Sequence, residues 1–360
     1  SVMSSKSHYD TGGTIPMKRT SMTGLLLILG FFAATSQTTQ DTLFYRSLHY
    51  TARGMSYWYA SANGGLESIT GVPYEQLGCQ NCHVVGCFQC HLTVANDQPA
   101  YSTAAARRQE ECLVCHVREA SIMKIDRESN QSDVHVEKGM ICMDCHTARD
   151  IHGDGSEYVS MKQPDAMEVS CGQCHSPGEN RAHTVHDGKL DCNACHQRHV
   201  VSCTNCHFET LVKEGKRIAI PVSGWMFLMN LNGKVTSATM QSFVVKENKT
   251  FLMFAPQHSH SVMGKGRTCD ECHSAKILED IRKGRVRLTW FQDAKMQNRK
   301  GVIPVAEGIT WEMVYQDRER GNWIPISNPE KPKLHYAGFG SPLTEAQVQS
   351  LRKHQAATVD

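Results

Sequence analysis

Every cysteine of this 360-residue chain falls into one repeated pattern. In order, the copies are Cys79-Gln-Asn-Cys82-His83, Cys87-Phe-Gln-Cys90-His91, Cys112-Leu-Val-Cys115-His116 and Cys142-Met-Asp-Cys145-His146. They continue with Cys171-Gly-Gln-Cys174-His175, Cys192-Asn-Ala-Cys195-His196, Cys203-Thr-Asn-Cys206-His207 and Cys269-Asp-Glu-Cys272-His273. Eight pairs at one spacing, each followed directly by histidine, use up all 16 cysteines. The fold must therefore build the same local geometry eight times. Two thiols three positions apart on a short helix project from adjacent turns of one face, and the next residue sets an imidazole beside them.

Zinc sites and thioredoxin-like redox sites also use Cys-x-x-Cys, but neither requires histidine at the same offset in every pair. Attachment of c-type haem does: each thiol forms a thioether to one haem vinyl group, and the imidazole becomes an axial ligand of the iron. The motifs predict eight covalent haems c. Across residues 79–273 the chain resembles the octahaem members of the multihaem c-type cytochromes. The resemblance implies haem attachment by a maturation system outside the cytoplasm. It is compatible with an electron conduit and with a haem enzyme, since both use the motif.

A haem that only relays electrons has both axial positions filled, whereas one that reacts with a small molecule keeps a position open. The spare histidines therefore carry the most information. Of 19 histidines, eight belong to motifs. His8 precedes the apolar N-terminal segment, and His335 and His354 lie far along the C-terminal tail. The remaining eight, His49, His135, His152, His183, His186, His199, His258 and His260, are the distal candidates, with at least six expected to serve. His183 with His186, and His258 with His260, are each expected to serve two different haems. No motif ends in Lys, the departure found at the catalytic haem of several relatives, so an electron carrier is the first reading. The alternative is a multihaem oxidoreductase acting on nitrite, hydroxylamine or a sulfur oxyanion at one open haem, with Tyr336 as the residue to watch.

From Met17 the chain has Lys18 and Arg19, an apolar run ending near Ala34, and a small-x-small site at Ala34-Thr-Ser36, the layout of a secretory signal. The run is shorter than the roughly 20 residues a spanning helix needs. Export to the periplasm or cell surface is expected, with membrane contact only if this segment is retained. Removing residues 1–36 takes away Lys6, Lys18 and Arg19 against Asp10 and leaves a balanced polypeptide. No basic patch with interleaved aromatics suggests nucleic acid. Haem propionates would make the loaded protein acidic, with Arg107, Arg108, Arg181, Arg198, Lys265 and Arg267 as candidate partners for them. Expected partners are redox proteins such as other cytochromes, in anaerobic respiration or extracellular electron transport, with self-assembly into an oligomer or filament as a further possibility.

The apolar share, 40%, is low for a globular chain, so porphyrin is expected to fill much of the interior. The expected fold is mostly irregular, with short helices packed around a haem chain and small antiparallel β regions, α+β by content. The expected divisions are an N-terminal extension and signal (1–36), a seven-haem region (37–212), an antiparallel β insertion (213–257), the eighth haem site (258–280) and a haem-free β-containing region (281–360). Short helices are expected over Ser47–Ala60 and Thr103–Glu111. Hairpin signals centre on Asn232-Gly233 and Glu247-Asn248-Lys249. The helix at 344–355 reads as polar surface, and Trp225, Trp311 and Trp323 offer an apolar docking surface.

Overall fold

The computed structural model describes residues 42–78, 83–245, 248–273 and 275–356. The signal-like segment, Cys79 and Cys82 lie outside them. The helices that bear on the site are α1 (Leu48–Thr51), α2 (Arg53–Tyr59), α3 (Val117–Glu128), α4 (Ala148–His152), α5 (Arg181–His186), α6 (Phe208–Glu214), α7 (Ala275–Arg282) and α8 (Glu345–Ala356). The single helix expected over Ser47–Ala60 is two. Ser47 Oγ accepts from Tyr50 N to start α1, and Ala52, in the left-handed region at φ 57°, separates it from α2. The stretch at 103–111 is likewise split into Thr103–Ala106 and Gln109–Leu113.

The strands are β1 (Leu92–Ala95), β2 (Gln98–Tyr101), β3 (Val200–His207), β4 (Ile220–Leu231), β5 (Lys234–Val244), β6 (Thr250–Pro256), β7 (Arg285–Arg287), β8 (Thr289–Gln292), β9 (Lys295–Asn298), β10 (Gly301–Pro304), β11 (Thr310–Glu312), β12 (Gln316–Glu319), β13 (Asn322–Pro325) and β14 (Lys333–Tyr336). Four small two-stranded sheets accompany one six-stranded sheet of order β10-β4-β3-β5-β6-β14. The turn between β4 and β5 is the expected Asn232-Gly233, with φ 51° and 85°, both positive as a tight hairpin of this hand requires. The content is α+β, but the β structure is not only antiparallel. β3 runs parallel to β5, β10 to β4 and β14 to β6. Hairpin signals mark only neighbours along the chain, so these long-range parallel partners leave no local trace.

The sheet supplies an aliphatic and aromatic core of its own. Trp225, Met226, Phe227, Met240, Leu252, Phe254, Leu288 and Ile303 are fully buried. α7 packs Ile277, Leu278 and Ile281 on this cluster, and α8 contributes Val348 and Leu351. The C-terminal helix is thus not simply polar surface. Trp225 and Trp311 are core residues, Trp225 donating to Ser202 Oγ at 3.0 Å, so neither serves as an exposed docking surface. A second cluster gathers Tyr59, Leu66, Tyr74, Leu77, Phe208, Leu211, Val245 and Phe251 between α2, α6 and the other end of the sheet. Among the described residues no helix is long and apolar enough to cross a membrane.

Candidate haem-binding site

Six of the seven motifs that lie within the described residues close the same turn. The amide of His91, His116, His146, His175 and His273 each donates to the carbonyl of the first cysteine of its motif, at 2.9 to 3.0 Å. The sixth, Cys192–His196, is itself a short helix. In this turn both thiols and the imidazole leave the backbone together, as double thioether attachment requires.

Each of these six motif histidines faces another histidine at nearly constant separation. Ring centroids are 6.1 Å apart for His116 and His49, 6.1 Å for His91 and His152, 6.0 Å for His175 and His135, 6.2 Å for His146 and His260, 6.3 Å for His196 and His183, and 6.4 Å for His273 and His186. Face-to-face stacking at van der Waals distance would put the centroids about 3.5–4 Å apart. Two imidazoles on opposite sides of one iron, each with a metal–nitrogen bond of about 2 Å, hold their centroids about 6 Å apart.

The second nitrogen of most of these rings is tied down. Nδ1 of His91, His183, His186, His196 and His273 donates to the carbonyls of Ser102, Gly178, Ala182, Met263 and Leu351, at 3.2, 2.8, 2.7, 3.2 and 2.7 Å. His135 Nδ1 meets Asp133 at 3.2 Å, His260 Nδ1 meets Glu119 at 2.8 Å, and His146 Nδ1 lies 3.4 Å from Asp150. A carbonyl only accepts, so the proton sits on Nδ1 and the Nε2 lone pair is left for a metal, the usual orientation of a ligating histidine. Asp133 and Asp150 are buried, and backbone amides satisfy them: His135 N and Val262 N donate to Asp133, Glu168 N to Asp150, each at 2.7 Å. Burial, with His116 beside it, pushes His49 down to about 4, which keeps that imidazole neutral.

α5 carries both His183 and His186, one ring to the sixth motif and one to the eighth, so one short helix ties two sites together. His260 pairs with His146 but its neighbour His258 does not join a motif histidine; desolvation first, then Lys162 and His260, hold its pKa down. His199 Nε2 donates to buried Asp126 of α3 at 2.7 Å, and Arg198 bonds the same carboxylate at 3.2 Å. Four of the cations expected beside propionates have carboxylate partners within the protein: Arg107 lies 3.8 Å from Asp144, Arg108 bonds Glu111, Arg198 bonds Asp126 and Arg267 bonds Glu271. Tyr336 is half-buried and packs on Phe254.

The sites follow one another in space. The thiols of Cys112 and Cys142 are hydrogen-bonded, as are those of Cys171 and Cys192. Cys90 lies within electrostatic reach of Cys112, Cys145 of Cys174 and Cys195 of Cys272. The motifs thus run second, third, fourth, fifth, sixth, eighth.

The seventh motif differs. Cys203–His207 lies in β3, with Cys206 buried in the sheet and a bulge between the two cysteines, where Asn205 takes φ 54°. His207 Nδ1 contacts Thr210 Oγ1 at 2.6 Å and its Nε2 lies 3.1 Å from Asp317. The six motifs above form a closed turn, whereas this one is extended strand. Among the described residues no cluster of three or more His, Cys, Asp or Glu side chains forms a site for a bare metal ion. Bis-histidine haem asks for only two protein donors per iron, so the paired sites have the donor number that haem needs.

No family model, curated protein or solved structure matches the chain.

Proposed function

We propose that the chain is an exported multihaem c-type cytochrome that carries haems c on its eight motifs and passes electrons along them. The observation that carries this reading is the set of six histidine pairs at 6.0 to 6.4 Å, each pairing a motif histidine with one well separated from it in sequence. Haem iron alternating between ferric and ferrous supplies the one-electron chemistry when bound. The protein's part is to hold most of these imidazoles by Nδ1, to fill both axial positions so that small molecules are kept off, and to bring neighbouring attachment points together. Thiol neighbours in the order second to sixth, then eighth, support a chain of closely spaced haem edges suited to hopping. The six-stranded sheet, β3 to β6 with β10 and β14, backs this chain, and a redox partner such as another cytochrome, or a further copy in a filament, would dock at its ends.

The enzyme alternative has one specific place. His207 faces a carboxylate where the six paired motif histidines face an imidazole, so an open-coordinate haem acting on nitrite, hydroxylamine or a sulfur oxyanion would sit at the seventh motif. Electron paramagnetic resonance of the oxidised holoprotein separates the two. The conduit reading expects low-spin six-coordinate haem throughout; a stoichiometric high-spin ferric signal with turnover of one of these substrates would overturn it in favour of the enzyme.

A further inference from the structure

Three histidines outside the six pairs keep a buried ring nitrogen with no hydrogen-bond partner: Nε2 of His83, Nε2 of His335 and Nδ1 of His199. A buried polar nitrogen without a partner is unfavourable and calls for an explanation, an unmodified imidazole having no use for such a place. His335 lies on β14 and is 6% exposed. Its ring is hydrogen-bonded to the Trp58 backbone and walled by Trp58 at 6.1 Å and Phe251 at 5.7 Å between ring centroids. Gly64, at φ 76°, passes so close that an added Cβ would stand 3.6 Å from Nδ1. One nitrogen held by backbone and the other buried and open is the arrangement of the paired ligands.

We propose that His335 is the distal axial ligand of the haem whose proximal ligand is His83. The inference rests on the multihaem reading above and adds to it a ligand from the C-terminal β region, far from every motif in the sequence. The reach is right. Val84 N donates to His49 O at 3.2 Å, which sets His83 beside the start of the α1–α2 run, and Trp58 stands at its far end. The run turns at Ala52, so its ends lie closer than the rise of one straight helix of that length, about 13 Å, and two axial histidines, with ring centroids about 6 Å apart and each ring some 3 Å from its own Cα, span up to about that distance. The two other unpaired candidates differ from it: His199 has its Nε2 bonded to Asp126 and leaves only Nδ1 open, and His258 lies beside the Lys162 cation.

The test is ligand substitution in the full holoprotein, read by spectroscopy. His335→Met should convert one haem from bis-histidine to histidine–methionine ligation, with a near-infrared charge-transfer band of one-haem intensity and a raised potential for that haem alone. His335→Ala should give one high-spin haem that returns to low spin when imidazole is added. His335→Lys, which keeps a nitrogen donor, is a third variant should the other two fail to mature. The control His199→Met should leave every bis-histidine signal in place. Unchanged axial ligation in the His335 variants, with the wild-type number of covalent haems by mass, would overturn the assignment and leave the multihaem reading standing. Absence of haem from the wild-type protein would instead overturn that reading.

Discussion

At the scale of single residues, the informative atoms are the nitrogens that do not face the iron position. His260 is the clearest case, because its Nδ1 meets the Glu119 carboxylate at 2.8 Å while its ring stands opposite His146. Glu119 is held in turn by Gln257 Nε2 at 3.0 Å. A carboxylate partner makes the imidazole a stronger donor and favours ferric iron. Glu119→Gln should therefore raise the potential of the fourth-motif haem by about 60 mV, a roughly tenfold change in its ferric–ferrous balance. Spectroelectrochemical titration would show one component moving, and an unmoved fourth haem would contradict the role given to Glu119. The motif histidines and the six partners were all legible in the sequence from spacing and count. Which partner faces which motif was not, because pairing depends on tertiary packing: His49 meets His116, not the nearer His83. His335 was set aside on sequence distance alone, and β14 brings it back to α2.

At the scale of elements, the six motif turns and the sheet are held by different physics. The turns are short and need their cofactor and their neighbours, whereas the sheet has a conventional apolar core around Phe227, Phe254 and Trp311, with ring centroids of 5.3 Å and 4.9 Å from Phe254. Phe254→Ala removes a fully buried ring and should lower stability by about 3–5 kcal/mol. Thermal unfolding followed by β-sheet circular dichroism should register that loss, while the low-spin signals persist at room temperature. Loss of the low-spin signals at room temperature would mean that sheet and haem sites are one cooperative unit. The sequence marked the β4–β5 hairpin through Asn232-Gly233 but hid the sheet's mixed character, since β10 and β14 join it from residues far downstream. α3 was also hidden. It buries Ile122 beside the charged Asp126, and a face that turns a carboxylate inward shows no apolar stripe.

At the scale of the whole molecule, the proposed cofactor would account for the composition by filling part of the interior. The apolar share is modest, and the described aliphatic core is concentrated on the sheet and the helices against it. Elsewhere the partners are histidine pairs and neighbouring thiols, spaced for groups that the polypeptide itself does not supply. Among the described motifs, only the seventh is strand rather than a closed turn, so the proposed attachment there would need β3 to free Cys206 and His207. The central claim is that all eight motifs are loaded, and intact-mass measurement of the mature protein in denaturant tests it most directly. The account predicts eight covalent haem additions and no remaining thiol or disulfide. Seven or fewer additions in a fully matured sample would contradict it, and none would contradict the account altogether.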